Sequence, residues 1–214
     1  MVKAEGSQSI LIFRHRKGKA VIWCDMDKCK NERVDRCWWV NLDNPLYVEY
    51  HDKEWGVPEH SDERLFEMLI LETFQAGLSW ECVLNKRKNF RKAFDGFDAV
   101  KISDYDDEKC ESLMSEPIIR NRLKIKACVT NSRVFLEIQR EYGSFDAYIW
   151  GFTGGRTILE SCDIRTTSPL SDEISKDLKR RGMKFVGSTI IYAFLQSIGV
   201  YDAHLKGCFK YKGE

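Results

Sequence analysis

The chain of 214 residues has no apolar run approaching the roughly 18 residues that a membrane-spanning helix needs. It has only 4 prolines, and it is 43% hydrophobic and 31% charged, which excludes collagen-like and compositionally disordered chains. The first residues lack the apolar segment and cleavage site of a signal peptide. We therefore expect a cytoplasmic protein without membrane contact, in which the 8 cysteines are thiols or metal ligands rather than disulfides.

Net charge is also nearly absent, because 34 Lys and Arg stand against 33 Asp and Glu, but the charges are unevenly distributed. Residues 51–116 carry 9 basic and 16 acidic side chains, whereas residues 118–140 carry 6 and 1, and residues 176–214 carry 8 and 3. Such segregation can build a basic face for a polyanion on a nearly neutral protein. The alternative is that these charges lie on an ordinary solvated helix surface. The charge distribution alone slightly favours this alternative over a binding face.

Apolar residues recur at three- and four-residue spacing from about residue 61 almost to the end, which predicts an all-α domain over residues 37–214. Ser61 is the expected N-cap of its first helix, and Gly77 the stop. Ser79 is the expected N-cap of a second helix, over 79–94. Further helices are predicted at 106–115, 118–142, 144–152, 171–181 and 188–198, with a loop at 153–169. Residues 1–36, with two β-type runs around Lys17–Lys19, are predicted to form a separate extension, a possible β-hairpin.

One local pattern has metal-ligand spacing. His204 and Cys208 are separated by three residues, and Cys37 with His51 would supply the other two ligands of a tetrahedral zinc site. The alternative is a buried thiol and a surface histidine that never meet, and spacing alone favours it. Cys24 and Cys29 form a rival pair whose spacing is loose, so free thiols are the better interpretation there.

A second pattern is aromatic. Trp38, Trp39, Tyr47, Tyr50 and Trp55 fall within eighteen positions, and Trp80 follows. A core explains most of these, but Tyr47 and Tyr50 can share one helical face and present their rings to a planar or cationic ligand.

Glu72 lies among strongly apolar neighbours on the predicted helix. If it is buried, it must be paired, protonated or functional. The alternative is that it faces outward from an amphipathic helix.

A third pattern is a basic turn between two predicted helices. Gly182 and Gly187 bound the turn, Lys184 lies inside it, and the second helix begins near Ser188. Backbone N–H groups at such a turn can hold a phosphate oxygen, and the basic residues add salt-dependent attraction.

Three strings carry a resemblance to a known family. They are PLYVEYHDKEWGVP at residues 45–58, LFEMLILETFQAGLSW at 65–80 and KFVGST at 184–189. Together they closely resemble the 3-methyladenine DNA glycosylase I family, from about Cys37 to Cys208 and in the family's order. Residues 1–36 lie outside the resemblance.

The resemblance implies a helix-hairpin-helix DNA glycosylase fold in which zinc joins the N- and C-terminal parts. It implies a structural zinc ion, one per chain, and it reverses the preference that spacing alone gave. The implied zinc ligands are Cys37, His51, His204 and Cys208. The implied base pocket is formed by Tyr47, Tyr50, Trp55, Glu72 and Trp80, and the phosphate-binding hairpin runs from Gly182 to Gly187.

The implied activity is a monofunctional hydrolase of base-excision repair that flips 3-methyladenine out of alkylated double-stranded DNA, with Glu72 and Tyr50 as catalytic residues. DNA contacts are expected from Gly182, Lys184, Gly187 and Ser188, with Leu78 as the wedge that fills the space left by the base. We expect a monomer that associates with the nucleoid when acting on DNA. The alternatives are a non-catalytic damaged-DNA binding module and a glycosylase with a shifted lesion preference.

Three departures from the family accompany the resemblance. One extra residue lies between Cys37 and Tyr47, Pro117 stands where glycine is usual, and the 153–169 loop shows little likeness to other members. Asp202 lies near the position where related glycosylases use an aspartate, but the resemblance implies no such role here.

Overall fold

The computed structural model describes residues 34–160 and 165–213, and ten α-helices form most of this part of the chain. They are α1 (Pro45–Lys53), α2 (Asp62–Gln75), α3 (Trp80–Leu84), α4 (Arg87–Ala93), α5 (Ala99–Ser103), α6 (Asp107–Ser112), α7 (Arg122–Tyr142), α8 (Phe145–Gly151), α9 (Pro169–Arg180) and α10 (Ser188–Ser197). None of the described helices is long and apolar enough to cross a membrane. The two β-type runs of the N-terminal extension, with Cys24 and Cys29, lie outside the described residues.

Helix α2 is the centre of the described part of the chain. Residues 65–74 are all buried, and the helix packs against α3, α7, α8 and α10. Ser61 is its N-cap, as predicted, because its hydroxyl accepts a hydrogen bond from the Arg64 N–H. A helix covered on all sides buries its polar side chains too, so Glu67 and Glu72 both lie inside.

The expectation of a purely helical domain is correct for most of the described residues, but one pair of strands departs from it. β1 (Ile158–Leu159) and β2 (Tyr201–Asp202) run parallel, with Ile158 opposite Tyr201. The Glu160 N–H donates to the Asp202 carbonyl at 2.9 Å. The segment 153–169 is therefore not entirely loop, since part of it pairs with the chain that follows α10; its residues 161–164 lie outside the described part.

The prediction of one helix over 79–94 is wrong, although Ser79 caps its first half as expected. The chain turns at Asn85 and Lys86, and α4 begins separately at Arg87. The break lets the Arg87 side chain point inward, where it donates to Glu67 at 2.8 Å. Hydrogen bonds to the buried carboxylate of Glu67 stabilise the protein more than an unbroken helix over 79–94 would.

Other helix boundaries shift because polar caps decide them. α7 begins at Arg122 rather than residue 118, since the Asn121 side chain accepts from the Lys124 N–H at 3.1 Å. α9 begins at Pro169 rather than residue 171, within a reciprocal capping box of Ser168 and Ser171. The predicted helix over 106–115 ends as α6 at Ser112 and continues as a 3-10 turn.

Candidate functional site

A buried cluster of side chains, the proposed base pocket, forms where α1, α2 and the start of α3 meet. Tyr50, Glu72 and Trp80 are all buried there, and the ring centroids of Tyr50 and Trp80 lie 5.0 Å apart. Tyr47, one turn earlier on α1, is half-buried. Burial raises the pKa of Tyr47 to about 12, and the charges of Glu81 and then Glu72 add to this effect. Four of the five residues assigned to a base pocket, Tyr47, Tyr50, Glu72 and Trp80, therefore lie near one another, whereas the ring contacts of Trp55 are with Trp39, His51 and His204.

Two polar atoms in this pocket lack a hydrogen-bond partner within the described part of the chain. They are Oε2 of Glu72 and Nε1 of Trp80, an acceptor and a donor. Leaving a buried polar atom unpaired costs about 1–3 kcal/mol, so folded proteins rarely tolerate it without a reason. One acceptor and one donor beside aromatic faces fit the polar edge of a flat heterocycle.

Glu72 is inside the protein, which settles the alternative that it faces outward. Burial raises the pKa of its carboxyl group to about 8. No described Lys, Arg or His forms an ion pair with it. The same location raises the pKa of Tyr50 well above its ordinary value, through burial first and then the charge of Glu72. A cation entering this pocket would find a carboxyl group with no counter-charge of its own.

Trp39 is an aromatic wall that the sequence analysis did not assign to the pocket. Its ring centroid lies 5.5 Å from Tyr47 and 4.8 Å from Trp55. Trp55 in turn has ring contacts with His51 and His204. Trp55 therefore connects the aromatic wall to a second buried cluster. The one sequence signal for this role of Trp39 is the high frequency of tryptophan near residue 39.

That second cluster consists of the four predicted metal ligands. The donor atoms of Cys37, His51, His204 and Cys208 lie within 4.8 Å of one another, and all four residues are buried. Sγ of Cys208 is 3.5 Å from Nε2 of His51 and 3.7 Å from Nδ1 of His204, and Sγ of Cys37 is 3.7 Å from the same Nδ1. Zinc bonds of about 2.3 Å to sulfur and 2.0–2.1 Å to nitrogen at tetrahedral angles separate such atoms by roughly 3.5 Å. The residues fit a closed four-coordinate ion.

Outer contacts orient both histidines in this cluster. Nδ1 of His51 lies 2.8 Å from Asp52, whose carboxylate also accepts hydrogen bonds from Arg36. Nε2 of His204 lies 3.2 Å from the Trp55 carbonyl oxygen. Carboxylate and carbonyl partners of this kind fix the ring orientation of metal-binding histidines. The role of Arg36 and Asp52 was not predicted, since their separation of 16 residues gives no local signal.

The side-chain contacts of Asp202 are with residues near the Cys and His cluster, not with the proposed base pocket. It is buried, its carboxylate forms a 2.9 Å ion pair with Lys212, and it accepts a long hydrogen bond from the His204 N–H. These contacts support the segment around the Cys and His cluster, and we assign Asp202 no catalytic role.

The predicted basic turn joins α9 to α10. The Met183 N–H donates to the Leu178 carbonyl, and the Gly182 N–H donates to the Lys179 carbonyl, both at 3.0 Å. This is a Schellman ending, which needs a left-handed residue, and Gly182 supplies it with φ of 105°. Gly187 is the N-cap of α10, so the first N–H groups of that helix follow it directly.

The turn between α2 and α3 carries Leu78, the predicted wedge. Its side chain is 42% exposed, although residues 65–74 of α2 are buried. Gly77 before it has φ of 79°, a conformation that favours glycine. The turn therefore presents an apolar side chain to solvent between Glu72 and Trp80.

The chain is similar in sequence to known proteins. A family model described as methyladenine glycosylase matches residues 39–211. DNA-3-methyladenine glycosylase 1 of Escherichia coli (strain K12) is 44% identical over an alignment of 185 positions that covers 84% of this chain and 98% of that protein.

Solved structures are similar as well. A crystal structure of 3-methyladenine DNA glycosylase I has a TM-score of 0.80 and 44% identity, covering 83% of this chain and 100% of that one. The structure that gives the basis of 3-methyladenine recognition by the Staphylococcus aureus enzyme has a TM-score of 0.77 and 34% identity, covering 80% and 94%.

Proposed function

The chain belongs to the methyladenine glycosylase family, and we propose on that premise that the pocket of Tyr50, Glu72 and Trp80 receives 3-methyladenine flipped out of alkylated DNA. The protein is a DNA glycosylase, a hydrolase acting on 3-methyladenine. The observation that carries the pocket assignment is the pair of unpartnered buried atoms, Glu72 Oε2 and Trp80 Nε1, beside the Tyr50 ring.

The chemistry follows from the charge of the lesion. Methylation at N3 makes adenine in DNA cationic, which weakens its glycosidic bond and lets the base leave as a neutral molecule. Burial raises the pKa of Glu72 to about 8 in the protein alone, and a bound cationic base lowers that pKa, so the carboxyl group releases its proton to solvent when the base binds. The resulting carboxylate accepts a hydrogen bond from the exocyclic amine and favours the positive base over neutral adenine. Tyr50 and Trp80 stack on the base, and Tyr47 and Trp55 complete the aromatic walls. The pocket therefore selects the damaged base by charge as well as by shape.

The surface that meets DNA consists, in this proposal, of the helix-hairpin-helix element and the Leu78 turn. The N–H groups of Gly187 and Ser188, at the start of α10, hold a phosphate of the backbone, which positions the duplex without reading its sequence. The exposed Lys184 side chain adds positive charge beside them, and Gly182 shapes the turn. Leu78 enters the base stack and occupies the space that the flipped nucleotide leaves. The protein acts as a monomer inside the cell, and residues 37–214 form the glycosylase domain; the family match to 39–211 supports that boundary.

We further propose that the Cys and His cluster holds one structural Zn²⁺. Two thiolates and two imidazoles are the donor set that zinc prefers, and four protein ligands leave no position for water. When bound, the ion links the segment before α1 to the segment after α10. Elemental analysis is expected to find about one Zn per chain, and chelation is expected to lower the melting temperature. Metal-free protein of unchanged stability would contradict the zinc proposal.

Base release tests the activity directly. Purified protein is incubated with duplex DNA treated with a methylating agent, and the released bases are separated by chromatography. We expect 3-methyladenine to appear and unmodified adenine to stay in the DNA. Salt-sensitive DNA binding without any released base would indicate a binding module instead, and preferential release of another lesion would indicate shifted specificity.

A further inference from the structure

Lys124, near the start of α7, is a buried lysine with an unusual set of partners. Its side-chain Nζ donates hydrogen bonds to the carbonyl oxygens of Phe74, at 2.8 Å, and Ala76, at 2.6 Å. Both carbonyls lie at the C-terminus of α2, where no further turn of the helix exists to satisfy them. An ammonium group here also complements the negative end of the helix dipole.

No acidic side chain accompanies this ammonium group. Within the described residues, Lys124 forms no ion pair with Asp or Glu, and burial lowers its pKa from the ordinary value. Lys126, two residues further on the same helix, shows the common arrangement, since it is half-exposed and pairs with Asp107. The contacts of Lys124 are therefore directed at one piece of backbone, the point at which the chain leaves α2.

The same face of α7 also holds the hairpin between α9 and α10. Asn131, seven residues and two turns after Lys124, accepts from the Lys184 N–H at 2.8 Å and donates to the Lys184 carbonyl at 3.0 Å. Nζ of Lys124 lies 5.8 Å from the ring centroid of Phe185, within cation–π distance. Phe185 has φ of 57°, which is strained for a residue with a side chain. The tip of the hairpin is thus held in an unfavourable conformation by α7.

One helix face therefore contacts both surfaces that the proposed function assigns to DNA. The chain runs from Ala76, which Lys124 holds, to the exposed Leu78 and then to Trp80 of the pocket. Asn131 holds the phosphate-binding hairpin by both backbone atoms of Lys184. The distance between the wedge and the hairpin is set through α7.

We propose that Lys124 is a positioning residue that fixes the Leu78 turn relative to the hairpin, so that phosphate binding places the wedge against the lesion. The inference rests on the proposed function. A base in duplex DNA must be displaced from its stack and its pair, whereas a base in a single strand needs little displacement. A misplaced wedge therefore slows excision from duplex DNA far more than excision from a single strand.

The experiment measures single-turnover release of 3-methyladenine from one oligonucleotide, either alone or annealed to its complement. Lys124→Met removes both hydrogen bonds, and we expect its duplex rate to fall at least 20-fold while its single-strand rate falls less than 3-fold. Lys124→Arg can donate to both carbonyls and is expected to recover most of the duplex rate. Lys126→Met is the matched control, expected to leave both rates within 2-fold of wild type.

Lys124→Gln keeps one amide donor and serves if the Met variant does not fold; it is expected to lower the duplex rate more than the single-strand rate. Equal losses on both substrates, tracking a lower melting temperature, would reduce Lys124 to ordinary structural support. A salt dependence of DNA binding that weakens by about one counterion in Lys124→Met would indicate direct phosphate contact, which also overturns the proposal. Wild-type protein inactive on both substrates would instead refute the function on which the inference rests.

Discussion

Two glutamates on the central helix α2 have the same depth and opposite surroundings. Glu67 and Glu72 are 4% and 2% exposed. Glu67 accepts hydrogen bonds from Arg64, Arg87 and Arg91, whereas Oε2 of Glu72 has no partner within the described residues. Burial alone would raise both pKa values, but the hydrogen bonds from Arg91 and Arg87 hold the pKa of Glu67 below its usual value. The pKa of Glu72 rises to about 8.

The difference in hydrogen-bond partners distinguishes a residue that stabilises the fold, Glu67, from one that is available to bind a ligand, Glu72. A buried carboxylate surrounded by arginines has its desolvation cost offset inside the protein, although such pairs are costly to break. A buried carboxyl without a partner lowers the stability of the folded state unless another molecule completes it. The same amino acid on the same helix thus serves packing at one position and recognition at the other.

The largest expected effect is on the activity of Glu72→Gln. Gln has nearly the same shape but carries no charge, so it cannot favour a cationic base. We expect excision of 3-methyladenine to fall 100- to 1000-fold, equivalent to about 3–4 kcal/mol of transition-state stabilisation, with the fold intact. Single-turnover base release measures the rate, and circular dichroism verifies the helices.

The matched control is Glu63→Gln, which makes the same change on the exposed first turn of α2. It is expected to excise at the wild-type rate. A near-normal rate in Glu72→Gln would remove the role that we assign to this carboxyl group.

The next effect is on the stability of Glu67→Gln. This variant replaces one of the two carboxylates that pair with the buried Arg87, so that Glu54 is its remaining counter-charge, and weakening a buried ionic network in this way typically costs about 3 kcal/mol. For a domain of this size, we expect a melting temperature lower by roughly 6–12 °C. The excision rate of the folded protein is expected to stay near normal. A large loss of rate without loss of stability would show that Glu67 acts on the base.

The sequence could predict the pocket by resemblance but could not distinguish these two glutamates. Helical periodicity placed α2 correctly, yet a helix buried on every side leaves no polar face from which to judge Glu67 or Glu72. Arg64 lies on α2 itself, but the other two partners of Glu67 come from α4: Arg87 is 20 residues from Glu67 and turns inward where the helix breaks before it. The break itself escaped prediction for the same reason, since its cause is a long-range contact.

The Cys and His cluster shows the complementary case. Spacing indicated half of a site at His204 and Cys208, with Cys37 and His51 as candidates for the other two ligands, and the resemblance made the complete set the preferred interpretation. The structure brings all four together across more than 150 residues, a proximity that local pattern cannot reveal. By contrast, the caps at Ser61 and Ser79 were predictable because an N-cap is a local feature.

A smaller effect concerns how the stability of Glu72→Gln depends on pH. The pKa of Glu72 is about 8 in the folded state, against about 4.5 for an ordinary glutamate, so between these values the folded state keeps a proton that the unfolded state has lost. Wild-type stability therefore loses a contribution from this group as pH rises from about 4.5 to about 8. Gln does not titrate, so we expect the stability of the variant to rise relative to that of wild type over this window, by about 4 kcal/mol near pH 8.

Urea unfolding of both proteins at pH 5, 6.5 and 8 measures this difference, in which the other titrating groups cancel. Glu63→Gln serves again, because the pKa of Glu63 is lowered by its hydrogen bond with Ser61, and its difference from wild type is expected to stay constant above pH 5. A Glu72→Gln difference that does not change with pH would mean that Glu72 is already ionised in the folded protein.

The smallest expected effect extends the comparison from carboxylates to indoles. Trp80 and Trp150 are both buried, but Nε1 of Trp150 donates to the Glu59 carbonyl at 2.9 Å, whereas Nε1 of Trp80 has no partner within the described residues. Replacing either by Phe keeps an aromatic ring and removes the N–H.

Trp150→Phe is expected to destabilise the protein by about 1 kcal/mol, because it leaves a carbonyl unpaired, and to bind the free base normally. Trp80→Phe removes a donor that stabilises nothing in the protein, so its stability is expected to change less, while calorimetry should show a 3- to 5-fold weaker affinity for free 3-methyladenine. If instead Trp150→Phe lowered the affinity for the free base and Trp80→Phe did not, the unpaired buried atoms would not identify the residues that bind the base.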